Sequence, residues 1–477
     1  MGKIRSWPGD EVRERRGGAG WSPLTGLVRR FFLFSPGFLF VASYLTAILV
    51  GTLLLRMPWA TRTGRIEWVD ALFTSTSAFC VTGLVVMDTG SSFTFTGQVL
   101  IMLMVQVGGL GIMTFAALIF LSMGWGVSMR QRRFVQETYA SDFTRDIRQL
   151  VVFIFGFTFI SELVGALFLM PCWHGDLNLG ERLFSSAFHS VCAFCNAGFS
   201  LYPDSFVRYS GNALFNLTIT TLIVLGGIGF PVARDVLHYL LSRGAARLTL
   251  NTKMSLAVSA VLLVAGALAF WALERKYCLA GLPWHHQLLV SYFQSVSART
   301  AGFNTTDLQV LGNATLLLLM VLMLIGASPG STGGGIKTTS IGVLAVVIGN
   351  RIRGSEADNV FRATLPHEVV SRSITVFMAA VVFILWVTFL YMIDLQGART
   401  LDQGRGLFVE YLFEVVSAFG TVGLSTGITP DMDVHGKLLA SATMLVGRVG
   451  ILTLVYIVAA PRRVRGYSYA RENVLIG

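Results

Sequence analysis

Apolar runs long enough to cross a lipid bilayer recur along the whole chain, and they constrain its fold more than any other feature. The clearest begin at Phe31, Val151, Met254 and Ser373. A membrane-spanning helix needs about 20 predominantly apolar residues, and each run supplies them. Hydrophobic residues make up 53% of the chain and charged residues only 13%, against about 25% charged in soluble domains. The sequence therefore predicts an all-α polytopic membrane protein.

The basic residues are distributed unevenly between alternate loops. Most of the 37 Lys and Arg residues fall in the two terminal tails and in the segments 124–149, 234–253 and 351–372. Basic loops stay on the cytoplasmic side of a membrane, so both termini are predicted to be cytoplasmic. The net charge of +11 then reflects topology and attraction to anionic membrane lipid, and we expect no nucleic-acid partner.

Two motifs that suggest enzymes do not fit their usual context. In the Gly-rich stretch 326–340, Ile336 separates Gly335 from Lys337, whereas a phosphate-binding loop needs the Lys directly after the last Gly. Cys192 and Cys195 form a CxxC, but redox motifs of this kind lie beside a soluble βαβ pattern, which is missing from the sequence. We expect no enzyme activity and no cofactor in this chain. A membrane redox enzyme remains a distant alternative.

A twelve-residue segment recurs along the chain. FTSTSAFCVTGL begins at Phe73, FHSVCAFCNAGF at Phe188 and FEVVSAFGTVGL at Phe413, while the fourth copy, FQSVSARTAGF from Phe293, is one residue shorter. Each copy lies between two apolar runs and starts with a segment too short to span, as in a half-helix that enters from outside. The four copies predict four span–pore-helix–span repeats around one pseudo-fourfold pore, with about eight transmembrane helices.

Each predicted half-helix is followed by three residues that end in Gly. Non-helical backbone at membrane depth is tolerated only where it is buried in protein or lines a watery cavity. Four such segments would offer rings of carbonyl oxygens in place of a cation's hydration shell, although small-residue motifs also mediate helix packing. The predicted K+-binding filter residues are Val81, Thr82, Gly83, Asn196, Ala197, Gly198, Thr300, Ala301, Gly302, Thr421, Val422 and Gly423.

The second apolar run of the third repeat is interrupted by helix-breaking residues, and we expect such a break only in this repeat. The interruption predicts a gate just below the filter, with a static kink as the alternative. Arg448 lies at membrane depth in the fourth repeat, where a charge is costly and points to function; the alternative is a structural pair with a buried carboxylate. The predicted gate residues are Ser328, Pro329, Gly330, Gly333, Gly334, Gly335, Lys337 and Arg448.

The predicted organisation has six parts. They are a cytoplasmic basic tail at 1–30, repeats at 31–124, 148–241, 253–350 (with the broken second span) and 368–460, and a cytoplasmic tail at 461–477.

The filter segments STSAFCVTGL, FHSVCAFCNAGF, SARTAGFNT and EVVSAFGTVGLST resemble those of the Trk/Ktr/HKT superfamily of potassium transporters, and the resemblance covers about residues 31–460. A polar tail of 30 residues precedes the first run, so the chain resembles most the bacterial Ktr membrane subunit (KtrB). A Trk-type subunit or a sodium/potassium cotransporting relative is the alternative.

The resemblance implies potassium uptake across the bacterial inner membrane by a homodimer with one pore per subunit. It also implies a cytosolic ring of nucleotide-binding regulatory subunits of the KtrA type. In this superfamily the loop that matches Ser328–Gly335 obstructs the pore from the cytoplasmic side, and the Arg that matches Arg448 faces the cavity beside it. Gly83 stands where sodium-selective relatives carry Ser, so the expected ion is K+, with Na+ left open as a coupling or activating ion.

Overall fold

The structure is a computed structural model, and the predicted tails 1–30 and 461–477 lie outside the residues it describes. The residues that the structure describes are mostly helical, and the only sheet among them is a hairpin of β1 (Asn359–Val360) and β2 (Ala363–Thr364). The described residues are 36–111, 147–173, 177–244, 247–355, 357–396 and 406–451.

The first predicted repeat contains a long helix, a short helix and a second apolar helix. These are α1 (Pro36–Leu55), α2 (Trp68–Cys80) and α4 (Phe95–Leu110), with the single-turn α3 (Thr89–Ser92) between the last two. Helix α2 has 13 residues, which is too few to cross a membrane.

The second repeat follows the same order. Helix α5 (Ile147–Leu169) is the long one, α6 (Leu179–Cys195) is the counterpart of α2, and α7 (Ala213–Gly227) is the second apolar helix. The chain then bends by 102° into α8 (Phe230–Leu241).

The third repeat differs in its last helix. Helices α9 (Leu250–Glu274) and α10 (Trp284–Ser297) match the pattern above. The second apolar stretch is divided into α11 (Asn313–Leu324) and α12 (Thr338–Ile352). The segment 325–337 between them is non-helical, as its Gly and Pro content predicts.

The fourth repeat contains α13 (His367–Gln396), the short α14 (Leu407–Gly420) and α15 (Val434–Val449). The described residues also contain four short 3-10 turns, at Met170–Cys172, Val207–Tyr209, Leu308–Val310 and Thr429–Asp431.

Helix starts are set by short polar residues. The Thr94 hydroxyl accepts a hydrogen bond from a first-turn amide of α4, and Asp433 does the same for α15. Asn178 and Glu181 form a reciprocal capping box at the start of α6. Such caps satisfy backbone donors that the first turn leaves without a partner.

The four repeats pack in a closed circuit, in which the second helix of each repeat contacts the short helix of the next. Helix α4 contacts α6, α7 contacts α10, α11 contacts α14, and α15 returns to α2. Each short helix also packs against the long helix that precedes it. The C-terminal ends of all four short helices are consequently brought to the middle of the molecule.

The outer faces of the long helices are apolar and exposed. Phe159, Val261 and Val382 are between 53% and 65% exposed, and contiguous apolar surface of this kind indicates contact with lipid. Among the described residues, α5, α9 and α13 contain segments long and apolar enough to cross a membrane, and the bent pair α7–α8 passes that test as one span. The count of about eight spans stays a prediction.

Candidate cation site

All four short helices are followed by the same unusual backbone. The first residue of each predicted filter segment has a positive φ, and so has the Gly two residues later. Side chains with a Cβ rarely adopt this left-handed conformation, so the surrounding structure must impose it. The angles are 58° at Val81, 60° at Asn196, 69° at Thr300 and 49° at Thr421, then 90° at Gly83, 68° at Gly198, 78° at Gly302 and 93° at Gly423.

The four glycines contact one another in cyclic order. A Cβ added to any of them would meet the middle carbonyl oxygen of the next segment, and only Gly allows so close an approach. Each of these oxygens therefore lies close to the Gly of a neighbouring segment, and the four segments meet one another. The facing pairs are Gly83 with Ala197 O, Gly198 with Ala301 O, Gly302 with Val422 O and Gly423 with Thr82 O.

Buried hydroxyl groups hold the ends of three segments. Ser77 Oγ accepts a hydrogen bond from the Gly83 amide at 3.0 Å, and Ser417 Oγ accepts one from Gly423 at 3.1 Å. In the third repeat the equivalent Ser297 hydroxyl donates to the Phe303 carbonyl. The sequence analysis did not single out these serines, although they share the fifth position of the repeated segment.

The second repeat carries Cys192 at that fifth position. Cys192 and Cys195 are free, buried thiols in α6 rather than a disulfide. The Cys195 thiol lies 3.9 Å from both Gln106 Oε1 and Glu162 Oε1, between the first two repeats. The CxxC thus lies in the packed region behind the second filter segment.

A second set of serines fastens the short helices to the long ones. In the first three repeats a Ser hydroxyl of the short helix donates to a backbone carbonyl of the preceding long helix. Three residues after that carbonyl, the long helix carries a Gly that lets the two helices approach. The bonds are Ser75 to Ile48 at 2.8 Å, Ser190 to Glu162 at 2.6 Å and Ser295 to Leu263 at 2.9 Å. These contacts fix the depth of each short helix, and sequence reasoning missed them as well.

The expectation that only the third repeat has a broken second helix is wrong. The second repeat also has a broken second helix, since the chain bends by 102° between α7 and α8, where Gly229 precedes α8. Helices α4 and α15 end just before Gly111 and Gly450. The φ angles are 83° at Gly111, 92° at Gly229 and 88° at Gly450. The segments VGGLGI, LGGIGF and VGRVGI carry the same glycine pattern. Its first Gly in each case presses against a carbonyl of the repeat's own short helix, and its last Gly has a positive φ.

The loop 325–337 contacts the third and fourth predicted filter segments. The Gly334 amide donates to Thr421 Oγ1 at 3.0 Å, and a Cβ on Gly333 would collide with the Thr300 hydroxyl. The side chains of Ser328 and Thr332 are fully buried. The loop is therefore in contact with the filter segments.

Backbone hydrogen bonds also join the loop to the bend between α7 and α8. They run from Ser328 N to Gly227 O at 3.0 Å, from Thr332 N to Gly226 O at 3.2 Å and from Phe230 N to Gly330 O at 2.9 Å. Pro329 lies against this bend, because a Cβ on Gly229 would meet its carbonyl oxygen.

Arg448 joins the loop to the first repeat. Its guanidinium donates to the Thr332 carbonyl in the loop and to the Gly108 carbonyl at the end of α4. A third bond reaches Tyr44 Oη at 3.4 Å. Arg448 occupies the position that Gly109 and Gly227 hold in the aligned glycine patterns of the first two repeats.

The other charged groups of this region have local partners. Lys337 Nζ donates to the Gly333 carbonyl at 2.8 Å, within the loop. Glu162 accepts from Gln106 at 3.3 Å, and Glu414 accepts from Ser425 and Thr429. Hydrogen bonds of this kind offset part of the cost of burying a charge.

Comparison with known proteins gives one consistent result. A family model described as "TrkH: Cation transport protein" matches residues 35–462. The potassium/sodium uptake protein NtpJ of Enterococcus hirae is 36% identical over 93% of this chain and 97% of its own length. The Ktr system potassium uptake protein B of Bacillus subtilis is 36% identical over 90% of this chain and 94% of its own length.

A solved structure shows the same fold. The potassium transporter TrkH from Vibrio parahaemolyticus matches with a TM-score of 0.66 over 88% of this chain and 84% of its own, at 19% identity.

Proposed function

The chain belongs to the TrkH family of cation transport proteins, and from this membership we propose that it takes up potassium across the bacterial cell membrane. The relatives named above are uptake proteins for potassium, or for potassium and sodium, and the alignments cover nearly the whole of both chains. These relatives are transporters rather than enzymes, which argues against a redox function for the CxxC.

The proposed filter consists of the four segments that end at Gly83, Gly198, Gly302 and Gly423. The observation that carries this assignment is the cyclic contact of these glycines with neighbouring carbonyl oxygens. Carbonyl oxygens around a common centre can replace the water of a dehydrated K+ ion. The C-terminal ends of the short helices add partial negative charge toward the same centre.

The proposed gate is the loop 325–337. Its support is its position beneath Thr300 and Thr421, because an ion that leaves the filter on that side meets the loop. Deletion of Ser328–Gly335 should raise ion flux and weaken its dependence on a regulatory subunit. Low and fully regulated flux through a deletion variant that inserts normally would indicate a static kink.

The proposed assembly is a homodimer with both termini in the cytoplasm and one four-repeat pore per subunit. A cytosolic ring of nucleotide-binding subunits of the KtrA type would dock on the basic cytoplasmic face. The names of the Ktr relatives support such a multi-component system. Co-purification with a KtrA-type ring tests the partnership, and nanomolar nucleotide binding by the membrane subunit alone would contradict it.

Potassium uptake is tested by reconstituting the purified chain in liposomes. We expect K+ flux that exceeds Na+ flux, whereas a preparation without cation flux would overturn the proposal. Expression in cells that lack their own potassium uptake systems gives a second readout, because growth at low external K+ should be restored.

Coupled or stimulated transport of Na+ is the second candidate, because the relative NtpJ is named a potassium/sodium uptake protein. The two cases differ in the response to external Na+. Stimulation of K+ flux by millimolar Na+ supports a role for sodium, and unchanged K+ flux excludes it.

A further inference from the structure

One hydrogen bond connects the filter directly to the loop. The Gly334 amide donates to Thr421 Oγ1 at 3.0 Å, and both residues are buried. We propose that Thr421 is a positioning residue that holds the loop closed against the fourth filter segment. This inference rests on the gate proposed above and adds a latch on the filter side, independent of Arg448.

The backbone of Thr421 fixes where its hydroxyl points. Thr421 ends α14 in the left-handed conformation, and its amide donates to the Ala418 carbonyl at 3.2 Å. A β-branched residue has few side-chain rotamers, so this backbone and the tight packing leave the hydroxyl little freedom. A Cβ on Gly334 would touch three atoms of the Thr421 side chain, which places the two residues in direct contact.

The other three segments lack this bond to the loop amide. Val81 has no polar side-chain atom at the corresponding position. Asn196 and Thr300 are hydrogen-bonded to each other, with 3.3 Å between their side chains. Among the described residues, Thr421 is thus the first-position filter residue whose side chain accepts a hydrogen bond from the loop.

The bond has a consequence for ions at the inner end of the filter. An amide hydrogen carries partial positive charge and occupies a lone pair of the Thr421 oxygen while the loop is closed. Opening the loop removes the steric obstruction and frees this oxygen in one step. Because coupling between sites is reciprocal, a cation beside Thr421 favours the open loop.

The test is a comparison of variants in liposomes that contain the full-length chain without a regulatory subunit. Thr421→Val keeps the shape of the side chain and removes the hydroxyl. Loss of one net hydrogen bond should raise the ratio of open to closed loops about 2- to 12-fold, and we expect K+ flux to rise by the same factor. Thr421→Ser retains the hydroxyl and should restore low flux. Thr443→Val removes a buried hydroxyl that bonds within α15 and should leave flux unchanged.

The same substitution in the variant that lacks Ser328–Gly335 separates a latch from a distorted filter. With the loop absent, Thr421→Val should have no further effect on flux. An equal effect with and without the loop would mean that Thr421 acts through the filter alone, and would overturn the proposal. No effect of Thr421→Val in the full-length chain, where the loop deletion does raise flux, would overturn the latch and leave the gate intact.

Hydrogen exchange at the loop gives a readout that does not depend on transport. The Gly334 amide should exchange faster in Thr421→Val than in Thr421→Ser, since only the second variant keeps its acceptor. Equal exchange in the two variants contradicts the latch. A loop deletion that leaves flux unchanged overturns the gate itself, and the latch with it.

Discussion

Substitution of Arg448 by Ala tests how strongly the loop is held. The guanidinium bonds the Thr332 carbonyl in the loop, while its bonds to Gly108 and Tyr44 fix it to the first repeat. Arg448→Ala therefore removes one charge-assisted bond from the loop and leaves the scaffold in place. A hydrogen bond to a charged group contributes about 1.5–3 kcal/mol, so the ratio of open to closed loops should rise about 10- to 150-fold.

Potassium uptake by transport-deficient cells, with and without the regulatory subunit, measures this change. Flux through Arg448→Ala should rise with the open population and lose much of its dependence on the regulatory subunit. Arg448→Lys keeps the charge but cannot reach all three acceptors, and its flux should lie between those of the wild type and the Ala variant.

A matched control lies on the same helix. Lys437 pairs with Asp70 at 2.7 Å near the other end of α15, so Lys437→Met also removes a cation and an ion pair from that helix. The loop contacts remain in this variant, and we expect wild-type gating. The reasoning about Arg448 is refuted if Arg448→Ala inserts normally yet keeps low, fully regulated flux, or if Lys437→Met opens the pore equally.

Three further substitutions test the filter and its supports. Gly83→Ser should reduce discrimination of K+ against Na+ in competitive uptake, because the added Cβ meets the Ala197 carbonyl at a φ of 90°; unchanged selectivity would place Gly83 outside the filter. Ser417→Ala removes the acceptor of the Gly423 amide and should lower selectivity in the same assay, whereas preserved selectivity would remove its supporting role. Glu274 is buried at the C-terminal end of α9 and accepts hydrogen bonds from the Gly312 amide and the Thr315 hydroxyl, so Glu274→Ala should lower the free energy of unfolding by about 1–3 kcal/mol without altering selectivity, and an unchanged melting temperature would contradict this.

The repeated segment made the centre of the molecule predictable. The register of four similar copies identified Gly83 and its counterparts, and all four glycines have the positive φ that an ordinary side chain avoids. The break after Leu324 was also predictable, since Pro and Gly cannot continue a helix. Both predictions depend on local backbone chemistry that is directly visible in the residue types.

Contacts between distant repeats could not be predicted from one sequence. Gly334 and Thr421 are 87 positions apart, and Arg448 reaches Gly108 across 340 positions. Such pairs form because the helices pack in a closed circuit, and no local pattern encodes them. The serines at the fifth position of the repeated segment were visible in the sequence. Their hydrogen bonds could not be predicted, because they form only when the residues after the short helix turn back toward its C-terminal end.

The glycine pattern of the other repeats was missed for a third reason. VGGLGI, LGGIGF and VGRVGI are short, and each was assigned to a continuous apolar run. Alignment of the three would have shown that Arg448 stands where the first two repeats carry Gly109 and Gly227. Its role beside the loop would then have followed from the sequence with less dependence on family resemblance.

The most direct test of the filter is to locate the ion. Thallium substitutes for potassium and scatters anomalously, so a crystal of the protein grown with Tl+ reports the site by itself. The account predicts an anomalous peak at the centre of the ring formed by Gly83, Gly198, Gly302 and Gly423, lost when K+ competes. A peak elsewhere in the molecule, with none inside this ring, would contradict it.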